Sequence, residues 1–248
     1  MLTEERKRLI LDRLKASGRI IAKNLSQELG LSEDTIRRDL REMAGEGLLQ
    51  RVHGGALPAS PTVVNLASRR DLSIEEKKVL ARFVVKQLQP RQSYFIDGGT
   101  TNLEIVQALS LSFEAKVFTH SPTIAAAFEG FPNVELTLIG GRLYKHSMVT
   151  LGVAAARTIV AIRVDMFLMG LTGLHKDEGV TTGDCEEAAM KALIASRAAE
   201  VISVVSAEKI GAVSDFQIGK LSMLTKIFAT KNSKLDVLRR KGLQIACP

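Results

Sequence analysis

One stretch of twelve residues constrains this chain more than any other: Leu29-Gly30-Leu31-Ser32-Glu33-Asp34-Thr35-Ile36-Arg37-Arg38-Asp39-Leu40. Gly30 allows the sharp bend that ends one helix. Ser32 can cap the next by accepting a bond from a free backbone N–H. Glu33 and Asp34 then sit in the first turn, where the helix dipole favours acids. Ile36, Leu40 and Met43 recur at helical spacing and form an apolar stripe. Arg38 and Arg41 lie far round from that stripe, with Arg37 on its flank. A helix with an apolar back and a basic front, after a helix and a tight turn, reads as the recognition helix of a helix-turn-helix. The plainer alternative is a surface helix that happens to carry arginines.

The neighbouring sequence favours the first reading. Thr3 to Ala16 reads as a first helix, closed by Ser17-Gly18. Ile20 and Ile21 are expected to open the second helix. After the recognition helix comes Leu48-Leu49-Gln50-Arg51-Val52-His53-Gly54-Gly55-Ala56. Its partial alternation before a glycine pair predicts a short strand and turn, a wing that sets Arg51 and His53 beside phosphates. Net charge is +7, but residues 1–58 hold 11 Lys+Arg against 9 Asp+Glu, so the DNA argument rests on where the arginines point.

These two motifs, Thr35 to Leu40 and Gly47 to Ala56, resemble the DeoR-type bacterial transcriptional regulators. The resemblance covers residues 3–57. It implies a winged helix-turn-helix in which Ser32, Thr35, Arg37, Arg38, Arg41, Arg51 and His53 meet double-stranded operator DNA.

Two prolines and small polar residues at Leu57-Pro58-Ala59-Ser60-Pro61-Thr62 predict a linker. The expected division is residues 1–57 for DNA binding, 58–73 as linker and 74–248 for sensing. From Ile74 the pattern is helical, and after Gln92 short apolar runs alternate with helical stretches. That alternation predicts a mainly parallel, helix-covered Rossmann-like α/β sheet. Its ligand should sit where strands end. The strand ends read Asp97-Gly98-Gly99-Thr100-Thr101, Thr119-His120-Ser121, Gly140-Gly141, Gly170-Leu171-Thr172 and Ser206 to Lys209. Glycines let backbone approach an anion, and a following helix offers free N–H groups. Asp97, Gly98, Gly99, Thr100, Thr101, Gly140, Gly141 and Lys209 are therefore the expected effector residues. Lys209 would supply the full charge, and Asp97 would accept a sugar hydroxyl or brace its loop.

Residues 69–230 resemble the sensor domain of the same family. The matching stretches are Asp97 to Thr101, Leu138 to Gly141, Asp165 to Gly170, and Glu186-Glu187-Ala188 with Lys191; Arg69 and Lys77 stand where the family has an Arg and a Lys. The resemblance implies a fold similar to ribose-5-phosphate isomerases and a phosphorylated sugar or related metabolite as effector. Ser206 and Thr230 stand where the family commonly has Asp.

An isomerase-like enzyme is the competing class. It needs a carboxylate base beside its substrate, and isomerases of this fold resemble one another in a Gly-Ala-Asp-Glu stretch. Here that place reads Gly170-Leu171-Thr172-Gly173. Cys185 and Cys247 form neither a disulfide framework nor a metal cluster; Cys185 is expected to be a small buried helix cap. No catalytic residue, metal or cofactor is implied. Met1 to Arg8 is charged, and no apolar run is long enough to span a bilayer, so the cytoplasm is the expected location. One recognition helix reads few base pairs, so a homo-oligomer is expected. The sequence leaves repressor and activator open, with repressor preferred.

Overall fold

The computed structural model describes residues 2–60, 64–232, 234–239 and 241–248. Pro61 and Thr62, read above as linker, lie outside them.

The first unit contains α1 (Thr3–Ser17), β1 (Ile20–Ile21), α2 (Ala22–Leu29), α3 (Glu33–Gly45), β2 (Leu49–Val52) and β3 (Gly55–Pro58). Gly30 closes α2 in the left-handed region at φ 63°, and Ser32 starts α3 by accepting the Thr35 N–H at 3.1 Å. The periodic residues Ile36, Leu40 and Met43 are buried against Ile10, Leu14 and Leu25. One expectation needs correcting: Ile20–Ile21 do not begin α2. They form a two-residue strand on the outer edge of β3, paired antiparallel with Ala56 and Gly55. Only glycine fits at position 55, because a Cβ there would lie 1.8 Å from the Ile20 carbonyl oxygen. The pairing joins residues some 35 positions apart, which local periodicity does not encode.

The chain continues through α4 (Ile74–Val84), β4 (Ser93–Ile96), α5 (Thr100–Ala108), β5 (Ala115–Thr119), α6 (Pro122–Ala127) and β6 (Val134–Leu138). Next come the hairpin β7 (Arg142–Tyr144) and β8 (Val149–Leu151), α7 (Val153–Val160), β9 (Val164–Leu168), β10 (Gly173–His175), β11 (Gly179–Thr182) and α8 (Cys185–Ala195). The last elements are β12 (Ala198–Val204), β13 (Phe216–Gly219), β14 (Lys226–Phe228), α9 (Leu235–Arg239) and β15 (Gln244–Ala246).

Seven strands form one parallel sheet in the order β15-β14-β12-β9-β4-β5-β6. Alternate side chains of β4 serve opposite faces, as the two-residue period of a strand requires. Tyr94 and Ile96 join Leu80 and Val84 of α4, Ile105 of α5 and Ile124 of α6. Phe95 joins Ala155 and Ile159 of α7, Ala188 and Ile194 of α8, and Leu235 of α9. The sheet is thus covered on both faces, as a parallel sheet must be. Strand order reverses at β4: β5 lies on one side and β9 on the other. A crevice opens at the carboxyl ends there, the usual ligand position in such sheets.

Two more readings change. Pro58, Ala59 and Ser60 are not a free linker: the Val213 N–H donates to Pro58 O at 3.1 Å and the Ser60 N–H donates to Val213 O at 3.2 Å. Cys185 is exposed rather than a buried cap, because Asp184 takes the cap and accepts the Glu187 N–H at 2.9 Å.

Candidate functional site

The outer face of α3 and the wing carry the first constellation. Arg37, Arg38, Arg41, Arg51 and His53 are all exposed. Arg37 is held along the helix by Glu33 Oε1, at 2.6 Å from Nη2 and 3.0 Å from Nε. Ser32 and Thr35 hydroxyls bond each other at 2.8 Å, so their first role is to fix the helix start. His53 sits in the turn between β2 and β3, and Arg51 opposite Ala56. Asp39, in the same helix as these arginines, does not face outward. It is 1% exposed and takes a forked pair from Arg6 of α1, at 2.5 Å from Nε and 2.8 Å from Nη2. The sequence reading missed this clamp, which seats the recognition helix on α1.

The second constellation is the crevice beyond β4 and β9, a cleft open to solvent at its mouth. Asp97 follows β4 and is wholly buried. Its Oδ1 accepts the Gly98 N–H at 2.7 Å and contacts His120 Nε2 at 2.8 Å; its Oδ2 accepts the Gly170 N–H at 2.9 Å and a short bond from Lys191 Nζ. Asp97 therefore braces the loop, as one of its two expected roles required. Burial alone would raise its pKa, but the Lys191 charge and the hydrogen bond from His120 outweigh that and hold the carboxyl well below the usual range. Gly170 is needed for this brace, since a Cβ would lie 2.7 Å from Gly98 O.

Gly98, Gly99, Thr100 and Thr101 line the cleft, with Gly99 at φ 126° just before α5. Lys209 lines it too, on the turn after β12. Burial pushes the Lys209 ammonium down to about 8, and the charges of Arg69, Lys77 and Lys191 push the same way. Gly140 and Gly141 are not part of the cleft lining. Gly141 instead packs under the hairpin, where a Cβ would lie 2.7 Å from Leu151 O, so the glycine pair serves a tight turn.

Arg69, Lys77, Glu187 and Lys191 also line the cleft. Lys77 Nζ donates to Arg69 O at 2.7 Å, and desolvation lowers the pKa of both Lys77 and Arg69. Lys191 bridges Asp97 to Glu187 Oε1 at 3.1 Å, while Glu187 Oε2 accepts the Ser147 hydroxyl at 3.0 Å. Four cations thus line the cleft with one carboxylate, Glu187, while Asp97 lies buried behind Lys191 and Glu208 stands beside Lys77 and Lys209. Among the described residues, three buried side-chain polar atoms have no hydrogen-bond partner: Arg69 Nε, Thr101 Oγ1 and Thr182 Oγ1. All three belong to residues of this cleft. Buried polar groups are rarely left unpaired, so their convergence marks a place prepared for a polar ligand.

The two positions with Ser206 and Thr230 are served by neighbouring acids. Ser206 Oγ donates to Glu208 Oε1 at 2.5 Å, and Glu208 Oε2 accepts Ser73 Oγ at 3.0 Å. Thr230 Oγ1 donates to Glu76 Oε1, which also accepts the Ala207 N–H at 3.1 Å. The carboxylates reach this corner from α4 and the turn after β12 instead of from the strand ends.

The sequence family described as the DeoR-like helix-turn-helix domain matches residues 6–62, and that of the DeoR C terminal sensor domain matches residues 72–231. The HTH-type transcriptional regulator GlpR of Haloferax volcanii is 32% identical over 248 residues, covering 99% of this chain and 96% of the relative. The Glycerol-3-phosphate regulon repressor of Escherichia coli is 28% identical over 93% of this chain and 92% of its own. The HTH-type transcriptional repressor GlcR of Bacillus subtilis is 27% identical over 99% and 96%. Among solved structures, ribose 5-phosphate isomerase A of Methanocaldococcus jannaschii aligns with 55% of this chain and 54% of its own, at TM-score 0.41 and 12% identity.

Proposed function

The chain belongs to the DeoR family of transcriptional regulators, and on that footing we propose that it is a cytoplasmic, homo-oligomeric repressor of a carbohydrate operon whose DNA affinity a phosphorylated sugar or polyol controls. No described helix is long and apolar enough to cross a membrane. One observation carries the effector reading: the three unpaired buried polar atoms belong to residues of a cleft lined by four cations and one carboxylate, Glu187. A phosphate monoester is close to a dianion above pH about 6 and carries strong acceptor oxygens. It would offset that charge and pair those donors. Free N–H groups at the start of α5 add to the same end. Turnover is the weaker reading, because a catalytic base must be free to accept a proton. Asp97 and Glu187 are both tied to Lys191 instead.

The test is a thermal-shift screen of the full chain against glycerol 3-phosphate and pentose and hexose phosphates, since a ligand of the folded state raises Tm. Lys209→Ala should then weaken the hit by about 1.5–3 kcal/mol, the usual worth of a charged hydrogen bond. Calorimetric titration reads this, and equal affinity in both proteins would remove Lys209 from the site. The pH dependence has a definite sign. With the Lys209 pKa near 8 in the free protein, the cation is present at neutral pH and is lost above about 8. Binding should therefore weaken as pH rises past that value, approaching about tenfold per unit for one linked proton. A flat profile from pH 7 to 9.5 counts against the assignment.

For the DNA face, Arg38→Ala should cost about 1–3 kcal/mol on a duplex enriched by the wild-type protein from random sequence, with relaxed selectivity, if Arg38 reads a base. If it meets phosphate, the loss is similar on all duplexes and the salt slope falls. Unchanged binding to enriched and random duplexes alike removes Arg38 from the interface.

A further inference from the structure

Beyond β3 the wing does not let go of the sensor. Ser60 is 3% exposed, and its hydroxyl donates to Thr172 O at 2.6 Å, across 112 residues of sequence. Ala59 bridges Val213, with the Val213 N–H on Pro58 O and the Ser60 N–H on Val213 O. Both anchors lead straight to the cleft. Thr172 lines it, and Val213 stands four residues after Lys209, which also lines it.

The anchors are also locked to each other. The Thr172 hydroxyl lies 2.7 Å from Ser214 Oγ and donates to Thr181 O at 3.1 Å. The Ser214 N–H donates to Thr181 Oγ1 at 3.0 Å. Gly173 has no slack, since a Cβ there would be 2.6 Å from Ala212 O. A packed cluster of this kind shifts as one body or not at all.

We propose that Ser60 is the positioning residue that couples the cleft to the wing. A ligand that draws Thr172 or Lys209 moves the 172–173 and 210–214 segments together. The Ser60–Thr172 bond and the Val213 bridge carry that shift into β3. β3 pairs with β2, which holds Arg51, and the turn between them holds His53. The ligand thereby favours one wing position over another, the differential contact that any allosteric account requires. The inference rests on the anion reading of the cleft, and it concerns how that site is heard rather than what it binds.

The test compares wild type, Ser60→Ala and Ser60→Thr as full chains, with inorganic phosphate and then glycerol 3-phosphate as probes. Thermal shift reports the cleft, and amide hydrogen exchange of residues 49–58 reports the wing. The expected result is an equal rise in Tm for all three proteins. Wing exchange should change on ligand addition in wild type and Ser60→Thr, and change clearly less in Ser60→Ala, which keeps only the backbone bridge to Val213. A wing response of full size in Ser60→Ala overturns the coupling while leaving the cleft assignment intact, as does a wild-type wing that ignores a ligand which raises Tm. No rise in Tm with either probe overturns the anion reading, and the coupling with it.

Discussion

Lys191→Ala should destabilise the sensor domain by about 3–5 kcal/mol, the usual cost of removing one partner from a buried ion pair. For a domain of this size that is a fall in Tm of roughly 6–20 °C. Lys191 is 2% exposed and stands between Asp97 and Glu187, both buried. Without it, two carboxylates face the same cleft, and Asp97 keeps only His120 and the Gly98 and Gly170 N–H groups. The acid response follows with a definite sign. Asp97 is held below the ordinary carboxylate range in the folded chain. It therefore contributes stability that is present above the unfolded value of about 3.9 and is lost only as pH falls below it. Removing Lys191 takes away the largest force holding that pKa down, so the acid-induced fall in Tm should begin at a higher pH in the variant. Melting curves between pH 4 and pH 8 measure both effects. A variant that melts with wild type across that range rules out the pair as a structural brace.

The recognition helix was legible because its information is local. Stripe, cap and acidic first turn all lie within one helix, and the structure buries Ile36, Leu40 and Met43 while exposing Arg38 and Arg41. The strand-end loops at Asp97 to Thr101 and at Lys209 were legible for a different reason: a parallel sheet places its strand ends on one edge. Gly140-Gly141 looked alike in sequence but follow β6, the outermost strand, away from the reversal at β4. Nothing in a glycine pair tells a central loop from a peripheral one. The hairpin β7–β8 and the small sheet β10-β11-β13 depend on pairings between distant or short segments, which weak alternation does not announce.

Two buried lysines carried a further signal of the site within their own helices. Lys77 falls in register with Leu80, Ala81 and Val84 on the buried stripe of α4, and Lys191 with Glu187, Ala188 and Ile194 on that of α8. A charge at a core position of an amphipathic helix is either badly placed or partnered. Here each such charge faces the cleft. The Arg6–Asp39 clamp gave no such warning, because its two halves lie 33 residues apart and Asp39 sits among arginines that point outward.

That clamp sets the other large expectation. Arg6→Ala should abolish DNA binding on every sequence, specific or random, although Arg6 lies on α1, behind the recognition helix. Both side chains are nearly buried, at 7% and 1% exposure, and the pair is forked. Leaving Asp39 buried without Arg6 costs about 3–5 kcal/mol. A unit of about 60 residues is only marginally stable and cannot absorb that. The signature is loss of helical circular dichroism from the first unit while the sensor transition stays in place, which separates it from Arg38→Ala, where the fold survives and binding falls. Replacing both partners, Arg6→Met with Asp39→Leu, should restore the fold, since a buried pair can often be exchanged for well-packed apolar residues. If neither residue touches DNA, binding returns with the fold. A double variant that folds but does not bind would move Asp39 or Arg6 into the DNA contact itself. A single Arg6→Ala variant that melts and binds as wild type would show that the apolar stripe alone seats α3.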